Sequence, residues 1–288
     1  MGFMGKEICV PHSPIIPYPH GFTLVVPHHL IVSSTHHPAF GGAVTKIYEA
    51  LEQAKQISKA SVEAERMPRF PVISSSDRPG SRIDKEMLDL YQTVNSILPD
   101  SAPRVIQFIG SKEGEGTSTI VREFGRVTVD KFNKTVLLLD ADRHRPSQHL
   151  FFDIKPERGW DEVVQNAVPM EKALYQVGRR NLFVGTITQF SSPLSQIFSN
   201  PGIDAFWKKL KQRFDLILID SPPTTASPEG LAICGKVDGV ILVVEAERVR
   251  WPVVQNTKEN ILRNGGKILG IVFNKRQHYI PEFVYKRL

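Results

Sequence analysis

Val105-Ile106-Gln107-Phe108-Ile109-Gly110-Ser111-Lys112-Glu113-Gly114-Glu115-Gly116-Thr117-Ser118-Thr119 is the stretch on which the fold turns. It opens as a strand-sized apolar run, passes through a glycine-rich turn and leads into a helix beginning near Ile120. Such a turn aims backbone N–H groups and a helix N-terminus at a phosphate chain, and a hydroxyl at Ser118 can ligate Mg²⁺. The usual phosphate-loop pattern has a lysine where Thr117 stands and a glycine where Ser111 stands. Alone, the stretch also reads as an ordinary glycine-rich turn.

Two further runs bear on that choice. Val136-Leu137-Leu138-Leu139-Asp140-Ala141-Asp142-Arg143-His144-Arg145-Pro146 sets two carboxylates just past an apolar strand. Phe214-Asp215-Leu216-Ile217-Leu218-Ile219-Asp220 ends in a third, before Ser221-Pro222-Pro223. Carboxylates so placed hold Mg²⁺ directly or through water and orient a nucleophile beside a γ-phosphate. Any one of them reads equally as a capping aspartate, but three at strand ends in this order read as a nucleotide site.

Strands are predicted at 104–109, 135–140, 182–187, 214–220, 238–244 and 268–273, with helix-length amphipathic stretches between them. Uninterrupted apolar strands alternating with helices predict an α/β fold, a doubly wound and mostly parallel sheet covered on both faces. Ligands in such sheets gather at the strand C-termini, where the loop and the three aspartates lie.

With 288 residues, 41% of them hydrophobic, the chain can bury one large core plus extensions. Cys9 and Cys234 are too few for a disulfide framework or a zinc site, which fits a reducing compartment. No run approaches the roughly 20 apolar residues of a membrane-spanning helix, and the N-terminus lacks the pattern of a signal peptide. The expectation is a cytoplasmic protein. The formal charge of +6 and pI near 9.3 come partly from Arg143-His144-Arg145, the Lys208-Lys209-Lys211-Arg213 group, Lys275-Arg276 and Lys286-Arg287. Such groups suit an anionic membrane surface, a phosphate-rich ligand or an acidic partner. The Lys208 group reads as the solvated face of a helix that buries Phe206, Trp207 and Leu210.

Three zones follow. Residues 1–43, rich in proline and histidine, show no sustained period and read as a disordered extension. His28-His29 and His36-His37 lack the accompanying ligands and spacing of a standard metal site. Residues 44–83 read as a helix capped by Thr45, then a linker with Pro68, Pro71, Ser74-Ser75-Ser76, Pro79 and Gly80. Residues 84–288 read as the nucleotide-binding domain, opened by a helix from Asp84 to Leu98 with Met87, Leu88, Tyr91 and Val94 on one face.

The order of phosphate loop, Leu137-Leu138-Leu139-Asp140-Ala141-Asp142 with Arg145-Pro146, and Phe214 to Pro223 resembles the bacterial tyrosine kinases of the capsular exopolysaccharide family, within the MinD and ParA-like P-loop ATPases. The likeness runs on through Val237 to Val244 and Ile268 to Lys275, and includes the helix at Lys46 to Gln53. It implies that Ser111, Lys112, Glu113, Gly114, Glu115, Gly116, Thr117, Ser118 and Thr119 hold ATP, with Asn274 near the adenine. It also implies that Asp140 and Asp142 are catalytic, and that Ser118, Asp140 and Asp220 hold Mg²⁺. The implied partner is a membrane chain-length regulator of polysaccharide assembly, which would bring the protein to the inner face of the plasma membrane. A homo-oligomer is implied and a nucleic-acid partner is not. Relatives that begin near Lys46 imply a start of translation at Val44, which a mass measurement of the native protein would test.

The departures shape the functional expectation. Thr117 supplies neither the charge nor the reach of a lysine, although Lys112 occupies the place of the extra lysine in the MinD-like loop. Glu86-Met87-Leu88-Asp89-Leu90-Tyr91-Gln92 lacks both arginines of the family's ring-forming motif, and Tyr279 and Tyr285 are all that stand for its tyrosine-rich tail. Three readings remain: a Mg-ATP-dependent tyrosine kinase or ATPase of polysaccharide biosynthesis, an inactive adaptor on the same fold, and a MinD or ParA-like positioning ATPase.

Overall fold

The computed structural model describes residues 83–98, 102–166, 168–178, 180–188 and 192–276, and two short strands at 24–25 and 72–73. The helix expected from Thr45, the histidines of the first 43 residues, Cys9, Tyr279, Tyr285 and Lys286-Arg287 lie outside the described residues. In chain order the strands are β1 (Leu24–Val25), β2 (Val72–Ile73), β3 (Arg104–Gly110), β4 (Val136–Asp140), β5 (Leu174–Val177), β6 (Leu182–Gly185), β7 (Leu216–Asp220), β8 (Gly239–Glu245) and β9 (Ile268–Asn274). They form one sheet in the order β1-β9-β8-β3-β7-β4-β6-β5-β2. Only the β1–β9 and β5–β6 pairs are antiparallel among those described.

All six predicted strands are present. β5 went unpredicted because it is four residues long and pairs antiparallel against β6, outside the alternating strand-helix rhythm. The short strands β1 and β2 fall within the stretches expected to be extension and linker.

The sheet is buried on both faces. Every residue of β3, β4 and β7 is buried, which explains why their sequences run apolar without alternation. One face is covered by α1 (Asp84–Ile97) and α2 (Thr117–Phe132). Phe124 of α2 packs on Phe108 of β3 and on Tyr91 of α1, and Tyr91 stacks on Phe132 with centroids 3.8 Å apart. Burying one such aromatic contributes roughly 1.5–3 kcal/mol. The buried stripe of α1 is Met87, Leu90, Tyr91 and Val94, while Leu88, expected on that stripe, is half-buried at its flank. An ion pair between Arg126 and Asp84 ties the two helices at their rim.

The opposite face carries α4 (Trp160–Asn166), α5 (Leu194–Phe198), α6 (Ile203–Lys211), α7 (Leu231–Cys234) and α8 (Trp251–Arg263). α6 buries Ile203, Phe206, Trp207 and Leu210 and leaves its lysines at the surface, as expected. Between β4 and α4 lies the single turn α3 (Gln148–Phe151), which buries Gln148 and exposes Leu150 and Phe151. No helix among the described residues is long and apolar enough to cross a membrane.

Strand order positions the site. β7 inserts between β3 and β4, so the loop after β3 and the aspartates that end β4 and β7 share one sheet edge. Asp140 and Asp220 are register partners across that pair.

Candidate functional site

The loop after β3 is built by two glycines in the left-handed region, Gly114 (φ 82°) and Gly116 (φ 88°). A side chain is strained at such angles, and a Cβ on Gly116 would also collide with Asn274 Nδ2. Gly116 is the N-cap residue of α2 and offers no side chain to cap it. The first turn of α2 has no acidic residue either, so its N–H groups and the positive end of its dipole are open to an anion.

Glu115 holds the loop in shape from within. Its carboxylate is buried and accepts the Ser111 N–H (2.5 Å), the Ser111 hydroxyl (2.7 Å) and the Lys112 N–H (2.8 Å). Two other loops brace it from outside. Thr225 Oγ1 donates to the Ser111 carbonyl (2.7 Å), and Thr224 N–H to that of Gly110 (3.0 Å). From the end of β9, Asn274 Nδ2 donates to the Glu115 carbonyl (2.8 Å) and Lys275 Nζ to that of Gly114 (2.6 Å).

Asp220 is hydrogen-bonded by Ser118, and Asp140 is its register partner on β4. Both are buried, Asp140 completely. Asp140 accepts the Asp142 N–H at one oxygen (3.0 Å) and the Ser147 and Gln148 N–H groups at the other (2.9 and 3.0 Å). Burial first, and the Asp220 carboxyl beside it second, push Asp140 well above the usual carboxylate range. Burial pushes Asp220 upward as well, while hydrogen bonds from Gln148 and Ser118 and the charge of Arg122 pull it back. Gln148 Nε2 donates to Asp220 Oδ2 (2.6 Å), and Arg122 in turn reaches Gln148 Oε1 (3.4 Å).

Asp142 stands apart from that buried pair. It lines the open cavity, and its Oδ1 accepts the His144 and Arg145 N–H groups (3.1 and 3.0 Å), fixing the turn that follows β4. The basic triplet expected to face a surface or a ligand is divided. Arg143 makes a bidentate pair with Glu229 (2.8 and 2.5 Å), His144 is half exposed, and Arg145 reaches Glu113.

The cavity measures about 370 Å³ and is lined by residues 112–119, by Asp142, His144 and Arg145, and by the Ser221-Pro222-Pro223 turn and Lys275. That is within the range of small-ligand sites. Of the sequence-predicted residues, Lys112 through Thr119 and Asp142 line it. Ser111 is buried behind the loop, Asp140 and Asp220 lie under the floor, and Asn274 braces the loop from its far side. Sequence reasoning missed Gln148, Glu229, Thr224 and Thr225, whose partners are far away in the chain. The bracing by Thr225 was signalled only by two hydroxyl residues following the Pro222-Pro223 turn.

A family model described as ParA, a NUBPL iron-transfer P-loop NTPase, matches residues 101–285, the stretch holding the loop, both buried aspartates and Asn274. The chain belongs to this ParA family of P-loop NTPases. Among curated relatives of this family member, the putative tyrosine-protein kinase CapB of Staphylococcus aureus is 23% identical over 199 residues, covering 69% of this chain and 87% of CapB. The tyrosine-protein kinase CpsD of Streptococcus agalactiae serotype III is 25% identical over 210 residues, covering 73% and 89%. These relatives carry the kinase name that the motif order implied. Among solved structures, the chimerical protein CapA2B2 superposes with a TM-score of 0.64 at 22% identity, covering 76% of this chain and 99% of that one. The kinase domain of Escherichia coli tyrosine kinase ETK gives 0.62 at 17% identity, covering 76% and 95%. Both agree with the ParA-family fold.

The residues fit a magnesium nucleotide. Two adjacent buried carboxylates, raised first by burial and then by a neighbouring carboxyl, Asp220 for Asp140 and Asp142 for Asp220, invite a proton or a metal ion, and Ser118 supplies a hydroxyl to Asp220. Among the described residues no group of three or more His, Cys, Asp or Glu is arranged to hold a metal by itself.

Proposed function

We propose that this ParA-family chain is a Mg-ATP-binding, tyrosine kinase-like protein of capsular or exopolysaccharide biosynthesis. It would act in the cytoplasm at the inner face of the plasma membrane, beside a membrane chain-length regulator of polymerisation or export. The nucleotide part rests on one observation: Asp140 and Asp220 pair in register, with Asp220 hydrogen-bonded by Ser118 at the uncapped N-terminus of α2. The polysaccharide part rests on what the relatives are called. The division into an extension (1–43), a helix with linker (44–83) and a nucleotide-binding domain (84–288) belongs to the same proposal.

In this reading the backbone of residues 111–119 cradles the phosphates, and Ser118, Asp140 and Asp220 hold Mg²⁺, with Asn274 on the adenine side. Bound Mg-ATP supplies a phosphoryl group activated for transfer. Asp142, facing the cavity, would accept the proton of a hydroxyl that takes the γ-phosphoryl group as its bond to ADP breaks. Gln148 keeps Asp220 oriented, and the Ser147 and Gln148 N–H groups offset part of the upward push that burial gives Asp140.

A second reading, an adaptor that binds nucleotide without cleaving it, is favoured by Thr117, which brings no positive charge to the phosphates. Binding of a fluorescent ATP analogue with and without Mg²⁺, alongside phosphate release, separates the two. Wild type is expected to bind in a Mg²⁺-dependent way, Asp140→Ala to lose that dependence, and Thr117→Lys to tighten binding about tenfold through a charge-assisted contact. Binding without phosphate release selects the adaptor. No binding by wild type or by Thr117→Lys sinks the nucleotide reading.

A further inference from the structure

Thr117 leaves the phosphate end of the cavity without a cation of its own, and the rest of the wall does not make up the difference. Among the charged residues that line it, three cations, Lys112, Arg145 and Lys275, are matched in number by three acids, Glu113, Glu115 and Asp142. A polyphosphate therefore meets a wall of no net charge on which two of the three cations, Arg145 and Lys275, already have partners. The three cations differ in how tightly they are held. Lys275 Nζ is seated on the Gly114 carbonyl at 2.6 Å and also faces Glu245 (3.4 Å), so it is part of the loop's own support. Lys112 is exposed, and its backbone N–H is bound to Glu115.

Arg145 combines a fixed base with a free arm. Its backbone is anchored by Asp142 Oδ1 and followed by Pro146, while its side chain is 73% exposed and crosses the cavity mouth to Glu113 (2.5 Å), itself 47% exposed. The pair links the turn after β4 to the phosphate loop after β3. An ion pair this exposed holds weakly. A terminal phosphate offers more charge than one carboxylate and suits the planar donor fork of an arginine.

We propose that Arg145 is the cation this site uses to sense the third phosphate of a nucleoside triphosphate, and that Glu113 occupies it when the triphosphate is absent. The inference rests on the nucleotide reading given above. It assigns to a side chain on the turn after β4 part of the role that a lysine at position 117 would have had. It also makes Glu113 a competitor of the γ-phosphate and not a ligand of it.

The test measures affinities of ATP and ADP, each with Mg²⁺, for wild type, Arg145→Ala, Arg145→Lys, Glu113→Gln and the double variant Glu113→Gln/Arg145→Ala. Both side chains are exposed, so thermal melts should stay at the wild-type value. Arg145→Ala is expected to weaken ATP about tenfold and ADP less than about twofold, with Arg145→Lys between it and wild type. Glu113→Gln should tighten ATP several-fold, and the double variant should lose that gain. Equal losses for ATP and ADP, or a Glu113→Gln gain that survives without Arg145, overturns the proposal while the nucleotide reading stands. Wild type that binds neither nucleotide removes both together.

Discussion

The two sides of the cavity are built on different principles. On the carboxylate side, the proposed function rests on side chains: Asp140 and Asp220 sit in register, buried and adjacent, with Ser118 hydrogen-bonded to Asp220. On the phosphate side it rests on backbone. Thr117 has replaced the cation, yet Gly114 and Gly116 keep their left-handed angles, and Glu115, Thr224, Thr225, Asn274 and Lys275 hold the loop's carbonyls and N–H groups in place. A phosphate cradle made of main chain survives the loss of a side chain, because its donors belong to every residue. A metal site made of carboxylates does not.

Gly116→Ala tests the backbone half most severely. A left-handed angle costs a non-glycine residue of the order of 1–3 kcal/mol, and displacing the Asn274 amide adds to that, so about 3 kcal/mol of stability should go together with nucleotide binding. A thermal melt and a binding titration check it. A variant that melts and binds like wild type would show that the loop's shape is not what the site depends on.

Glu115→Ala comes next. Three donors lose their buried acceptor, at about 2 kcal/mol in total after relaxation and entry of water. Denaturant unfolding measures the loss, and Glu115→Gln, which keeps one acceptor oxygen, should recover part of it. No change in midpoint for the alanine variant would mean that the outer braces suffice.

The smallest effect concerns the carboxylate half. Burial, helped by Asp220 at Asp140 and by Asp142 at Asp220, raises both aspartates, so protonated forms persist above the usual carboxylate range and a Mg²⁺ bound there would have to displace a proton. The Mg²⁺-dependent part of nucleotide affinity should therefore rise several-fold between about pH 6 and pH 8, while the Mg²⁺-independent part moves less. For folding the sign is the reverse. A raised native pKa gives stability that is complete at pH values below the unfolded carboxylate range and is lost as pH climbs through the native value. A flat pH profile of the Mg²⁺-dependent affinity would place the metal away from this pair.

Much of this was legible in the sequence because it is local. The apolar runs that became β3, β4 and β7 need only their own composition to be recognised, and the glycines at 114 and 116 need only the strand before and the helix after. What stayed hidden depends on strand order. That Gln148 reaches Asp220, 72 residues on, follows from β7 lying beside β4. Arg143-His144-Arg145 reads as one basic cluster in sequence, but the fold sends Arg143 to Glu229 and Arg145 to Glu113. Leu88 was placed on the buried stripe of α1 and Leu90 was not, since a stripe two residues wide cannot be centred without knowing the surface beneath it.

The braces on the phosphate loop also bear on how the chain acquires its shape. Thr225 contacts Ser111 across 114 residues, and Lys275 reaches Gly114 across 161. Contacts of such sequence separation form late, after the intervening chain has been ordered. The loop is among the first parts of this region to be synthesised, but its braces from Asn274 and Lys275 form only once β9 has docked beside β8. A nascent chain arrested before that point would carry a cradle held by Glu115, Thr224 and Thr225 alone, so the emerging protein would gain the last of its loop's support at the β9 docking step.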